Sequence, residues 1–266
     1  MKSFDFEYDG IRLSDQGLML CSFDSSGIET IENGAAITFN QVATLNGDKH
    51  ETTSAVFEDC LTATLQICKS LCDGGSMEIS LEELRDIMRW LNRKGFHKFK
   101  LLDDEYSGIY FEASFNVSKI EIDGRLYGLE LEVITNRPFA LQEPITMVID
   151  NDKPNIVRTF LSKSDQEGFI YPDNMEITIK QDGDLIINGI TENRVMSIKN
   201  CKQGEVIKID YPIITSSLPS HKIQNDFNWI FFRVTTSFRN KSNEFTVSLP
   251  CTIKLTYTPI AKVGIQ

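Results

Sequence analysis

Three histidines, His50, His97 and His221, are the first residues to test for catalysis or metal binding, because an imidazole near neutrality can carry a proton or a metal ion. None has a second histidine or a carboxylate at metal-ligand spacing, and a general base needs a partner geometry that this sequence does not announce. His97 follows a helix end and reads as a surface or internally satisfied residue. The six cysteines are Cys21, Cys60, Cys68, Cys72, Cys201 and Cys251. Four-cysteine zinc sites repeat a Cys-x-x-Cys knuckle, which is missing here, so these read as core thiols of a reduced protein. There is no Gly-x-Ser-x-Gly elbow and no glycine-rich phosphate loop. Asp150, Asp152 and Asn155 match a calcium loop only loosely, since the required glycine and terminal glutamate are misplaced and Pro154 intrudes. Acidic pairs such as Asp103-Asp104 are turn formers before they are acid–base catalysts. The expectation is therefore no catalytic residue, no metal ligand and no cofactor.

Aromatic residues offer binding instead. The run Trp229-Ile230-Phe231-Phe232 could present a stacking platform for a sugar, as aromatic faces do in lectin-like sandwiches, although a core strand is the commoner fate of such a run. Trp90 lies off the apolar stripe of its helix and is expected to pack under a neighbouring element or at a subunit contact.

At 266 residues the chain can form two domains that need no disulfide framework. Met1 to Gly10 has neither a basic start nor an apolar signal segment, and no apolar run approaches the ~20 residues that span a bilayer. A soluble chain with thiols kept reduced in a cytosol is expected. The formal charge of −11 is uneven. Residues 1–140 hold 13 Lys+Arg and 24 Asp+Glu, giving −11, whereas residues 141–266 hold 14 of each, giving zero. An acidic surface repels phosphates, which argues against sequence-specific nucleic-acid binding but suits a passage that DNA crosses without sticking.

The elements that would position any of these residues are clearest over residues 80–140. Ser80 and Glu83 form a capping box, and Leu81, Leu84, Ile87, Met88 and Leu91 share one face of the helix that follows. Gly95 supplies the left-handed residue at its end, so the helix is expected at about 80–94. Strand patterns follow at Phe99 to Leu101, Ile109 to Ile122 and Leu129 to Val133, with Asp123-Gly124 as a hairpin turn. This reads as an antiparallel meander, which Arg137-Pro138-Phe139-Ala140 ends.

Upstream, Phe4, Phe6 and Tyr8 alternate with acidic residues as an opening strand. Turn signals recur at Asp24 to Gly27, Asn33-Gly34, Asn46-Gly47 and Cys72 to Gly75. The polar stretch Asn46 to Ser54 is a loop or a hairpin tip. Downstream of a boundary at Leu141 to Pro144 there is no convincing helix. Strands are expected at 145–149, 157–161, 175–180, 185–188, 194–198, 205–209, 227–238, 244–249 and 251–257, the spacing of a sandwich or barrel.

In the order and spacing of these signals the chain resembles the distal tail protein (Dit) family of long-tailed phages that infect Gram-positive bacteria. The resemblance rests on Phe4-x-Phe6 with Ser14-Asp15-x-Gly17-Leu18, the capped helix ending in Arg89-Trp90-Leu91, and Asp103-Asp104 with Tyr110-Phe111. Gly124 with Gly128 and Arg137-Pro138-Phe139-Ala140 complete it. It implies a mainly β protein with two parts. Residues 1–140 would be an α+β ring-forming domain with one main helix, and residues 141–266 a galectin-like β-sandwich. It further implies a structural, non-enzymatic role at the virion tail tip, in a homohexameric ring that joins the tail tube to the tail-associated hub protein and lets DNA through. In some phages the outer domains also carry receptor-binding proteins. The galectin sugar motif, a converging histidine, asparagine, arginine and tryptophan, is missing, so scaffold behaviour is expected. Two rival readings are a carbohydrate-binding module that recognises cell-wall glycan through the C-terminal sandwich, and a cell-wall hydrolase of unrecognised type.

Overall fold

The computed structural model describes residues 5–23, 37–44, 49–57, 60–70 and 76–264. Phe4 and the turns expected at Asp24 to Gly27, Asn33-Gly34, Asn46-Gly47 and Cys72 to Gly75 lie outside the described residues. The chain divides into two compact units, Met1–Leu141 with Lys262–Gln266, and Gln142–Ala261.

The first part of the chain contains β1 (Phe6–Tyr8), β2 (Ile11–Arg12), β3 (Leu18–Cys21), β4 (Ile37–Ala43), β5 (His50–Phe57), β6 (Thr62–Lys69), α1 (Leu81–Leu91), β7 (His97–Leu101), β8 (Ile109–Ile122), β9 (Arg125–Thr135) and β10 (Ala140–Gln142). An antiparallel path runs β2-β1-β7-β8-β9-β6-β3. The meander β7-β8-β9 forms as the alternation predicts. Asp123 and Gly124 both take positive φ (51° and 74°), the two-residue turn whose twist matches a right-handed hairpin. Phe111, Ala113 and Phe115 of β8 face the core, but beyond Val117 both faces of this strand are mostly exposed.

The capping box of α1 is complete: Glu83 N–H donates to the Ser80 hydroxyl, and Ser80 N–H donates to the Glu83 carboxylate. The helix stops at Leu91, short of the expected 94, with Gly95 following at φ +94°. Leu84, Ile87 and Leu91 are buried as the stripe requires, whereas Leu81, in the first turn, is 74% exposed. Trp90 is buried although it lies off that stripe. Its ring stacks on Phe6 at 5.9 Å, and its Nε1–H donates to the Tyr8 carbonyl at 3.2 Å. Phe99 meets Phe6 edge-on at 5.4 Å, and Phe115 meets Tyr8 at 4.7 Å. Offset and edge-to-face aromatic pairs add to their area burial, so this cluster fixes α1 across β1, β7 and β8.

The second part contains β11 (Ile145–Asn151), β12 (Arg158–Leu161), β13 (Gly168–Ile170), β14 (Asn174–Ile179), β15 (Gly183–Gly189), β16 (Arg194–Cys201), β17 (Val206–Asp210), β18 (Ile213–Ser216), the single turn α2 (Ile223–Asp226), β19 (Val234–Thr236), β20 (Ser242–Val247), β21 (Cys251–Tyr257) and β22 (Ile260–Ala261). One sheet has the order β11-β21-β14-β17-β18, and another has β12-β20-β15-β16. Alternate residues of both sheets enter one buried cluster, among them Ile177 and Ile207 from the first and Ile187 and Ile198 from the second. This is sandwich packing, and the fold is mainly β throughout. β13, β18 and β22 are additional to the strands expected from sequence, and the strand expected at 227–238 shrinks to β19.

The capping box is a stability prediction. Glu83 also lies 2.7 Å from Lys69, whose ammonium, together with the Ser80 amide, holds its carboxyl down at about 2. Its contribution is therefore present above the ordinary carboxylate range and fades as pH falls from there toward 2. Ser80→Ala should cost about 1 kcal/mol of unfolding free energy in urea at neutral pH. Glu83→Gln should destabilise at neutral pH and flatten the acid limb of a pH series of urea midpoints.

Candidate interaction surfaces

Among the described residues no three or more His, Cys, Asp or Glu side chains gather as a metal site, and no helix is long and apolar enough to cross a membrane. His50 is exposed on β5, and His97, in β7, packs edge-on against Tyr8 at 5.7 Å. His221 differs. Its side chain is buried, with Nδ1 2.5 Å from Glu205 Oε1 and Nε2 3.3 Å from Asp226 Oδ2. Glu205, fully buried, also accepts from the Ser216 hydroxyl at 2.5 Å and from Lys202 N–H at 2.9 Å. Burial pushes the Glu205 carboxyl upward, but the hydrogen bonds from Ser216, Lys202 and His221 outweigh it, so the net shift is downward. These groups clamp β17, β18 and α2 together, and the far side of the imidazole faces Asp226.

The other expected candidates are structural as well. Lys180 Nζ donates to Asp150 and, at 2.7 Å, to Asp152, which places an ammonium where a calcium ion would need to be. Cys68, Cys201 and Cys251 are buried free thiols, Cys60 is exposed, and Cys72 lies outside the described residues. Burial pushes Cys251 and, with the help of Cys68 beside it, Cys21 up to about 12, so neither is a ready nucleophile. Asp103 caps the short turn Asp104–Tyr106 by accepting from Glu105 N–H.

Two surfaces remain. The first is the hairpin β4–β5, which forms a two-stranded sheet of its own and includes most of the polar stretch 46–54 in β5. Ile37, Phe39, Val42 and Val56 are all exposed, Phe39 by 55%. At its base Phe57 meets Phe139 edge-on at 4.9 Å.

The second surface follows Asp226. Phe227 bridges to Ile198, and the Asn228 side chain pairs with the edge of β16, accepting from Ser197 N–H at 3.1 Å and donating to the Val195 carbonyl at 2.9 Å. Released from strand geometry, Trp229 takes φ +59° and is 54% exposed. The expected core strand is thus overturned here, because a side-chain amide has taken the ladder's place.

Comparison with known proteins places the chain. A family model described as phage tail protein N-terminal domain matches residues 1–137, and one described as phage tail C-terminal domain matches residues 139–257. The chain belongs to this phage tail protein family. Among solved structures it is similar to the crystal structure of SPP1 Dit (gp 19.1), titled a paradigm of the hub adsorption apparatus in phages infecting Gram-positive bacteria. The TM-score is 0.59 at 12% identity, covering 97% of this chain and 99% of that one. No curated protein matches in sequence.

For a phage tail structural protein, surfaces matter more than a reacting centre. The Glu205 clamp had one signal in the sequence: Glu205 shares its parity with Ile207 and Ile209, so a carboxylate was bound to point inward. His221 and Asp226 gave no such sign. Removing the Glu205 carboxylate leaves the buried donors of Ser216, Lys202 and His221 without their acceptor, so Glu205→Ala should cost roughly 1–3 kcal/mol, read from urea midpoints at neutral pH. Because the Glu205 carboxyl is shifted downward, the clamp is complete above the ordinary carboxylate range and weakens as pH falls through the lowered value. Glu205→Gln should abolish that acid dependence.

Proposed function

We propose that copies of this chain close into a homohexameric ring at the virion tail tip. The ring joins the tail tube to the tail-associated hub protein and leaves a channel through which DNA passes. The observation that carries this reading is the β4–β5 hairpin. A two-stranded hairpin is marginal by itself in water, yet this one exposes Ile37, Phe39, Val42 and Val56. A second copy of the chain can cover that surface, and a closed ring lets every copy be covered alike.

Two features support the same reading. β2 and β3 end the sheet path and offer ladder groups to a neighbour. The negative charge of the whole chain, −11, resides in residues 1–140, and a channel wall of that sign does not hold phosphate. The likeness to SPP1 Dit is one of fold, and that protein belongs to a hub adsorption apparatus. On this reading the role is structural rather than enzymatic, and the partners are other copies, the tail tube, the hub protein and, in some assemblies, receptor-binding proteins.

Light scattering and negative-stain imaging of the purified chain test it: closed six-fold rings are expected. Phe39→Asp together with Val42→Asp should weaken assembly by roughly tenfold or more, the scale of losing buried apolar contacts, while far-ultraviolet dichroism stays native. Wild-type protein that remains a monomer at high concentration would sink the reading.

A further inference from the structure

The C-terminal unit carries aromatic surface that its own core leaves in water. Trp229 and Tyr211 both stand half-exposed and flank Phe231, with ring centroids 6.4 and 5.1 Å from it. Tyr211 is backed by Tyr171, stacked flat at 3.8 Å. A bulky residue at φ +59° carries backbone strain, and strain of this kind persists only where surrounding contacts impose it. Here Asn228 imposes it, through four hydrogen bonds: to Ser197 N–H, Val195 O, Ser197 O and Ile230 N–H. The result is an indole fixed outward.

Phe231 is also a wall of a narrow cleft of about 20 Å³, lined in addition by Thr191, Glu192, Arg194, Arg233 and Glu244. Arg194 is held in place by donating Nε–H to the Phe231 carbonyl at 3.2 Å. Arg233 lies 3.7 Å over the Phe169 ring, with Glu192 3.9 Å away. Two carboxylates and two guanidiniums give the cleft no net charge. An anion would meet Glu192 and Glu244, and a cation would meet Arg194 and Arg233. An uncharged ligand with many hydroxyls can donate to the first pair and accept from the second.

We infer that this ridge and cleft bind a neutral glycan of pyranose units, one sugar laying its C–H face on Trp229 while a single hydroxyl of the chain reaches the narrow cleft between Glu192 and Arg194. The inference goes beyond ring assembly and does not depend on it. Apolar C–H faces stack on an indole, and the mixed donors and acceptors fix orientation.

The chain has two tryptophans, and Trp90 is buried, so a change in indole fluorescence reports Trp229. Titrations with cellotetraose, maltotetraose and chitotetraose, by fluorescence and calorimetry, should show saturable binding of at least one, with an affinity insensitive to added salt. Trp229→Ala should weaken it by at least about tenfold and Tyr211→Ser by less, each keeping the wild-type unfolding temperature within a few degrees. Three results would each overturn the inference: no saturation with any of the three sugars, a Trp229→Ala affinity within about twofold of wild type, or a steep loss of binding with salt. A Trp229→Ala variant that unfolds would make the residue a packing element and count equally against it.

Discussion

An unpaired strand edge is the constraint on which this molecule turns. A sheet's last strand presents N–H and C=O groups that must find water, a side chain or another strand, and each choice decides what that edge can do. Both units face the problem and answer it differently. In the N-terminal unit, β2 and β3 end the path and β4–β5 stands as a separate pair with apolar residues in water. In the C-terminal unit the edge of β16 is covered in part by Asn228, whose amide imitates a strand for the length of Val195 to Ser197. The proposed association draws on the first answer, and the outward indole follows from the second.

Local signals were legible wherever one face of an element is buried by near neighbours. The meander reads correctly because Phe111, Ala113 and Phe115 alternate with half-exposed residues, and Asp123-Gly124 can take two positive φ values in succession. The capping box reads correctly because both of its hydrogen bonds join residues three apart. Where contact comes from far along the chain, periodicity misleads. Leu81 belongs to the stripe yet stands 74% exposed, and Trp90 lies off the stripe yet is covered by β1, more than eighty residues earlier.

The same limit explains the aromatic run. Trp229-Ile230-Phe231-Phe232 has the composition of a strand, and propensity alone would bury it. Propensity measures fit to a pleated, half-buried surface, and Asn228 removes that surface by occupying the ladder itself. The run therefore alternates in depth without forming a strand: Phe231 goes into the core, and Trp229 comes out. Likewise, His221 showed no partner in sequence, because Glu205 is sixteen residues away and Asp226 is brought round by a turn of helix.

The buried clamp and the exposed ridge belong to one chain of support. Asp226 touches His221 and also accepts from the Asn200 side chain at 3.1 Å, which ties α2 to the end of β16. Phe227, next in sequence, bridges to Ile198, and Asn228 continues along the same strand to Val195. Three successive residues thus convert a buried imidazole and two carboxylates into a fixed position for Trp229. A charged cluster of this kind contributes little net stability compared with an apolar one of equal volume. What it adds is direction, since hydrogen bonds to Glu205 from Ser216, Lys202 and His221 admit one arrangement of the loop where packed methyl groups would admit several. Such a clamp makes physical sense if the residue after it must be held at an angle that its own backbone resists.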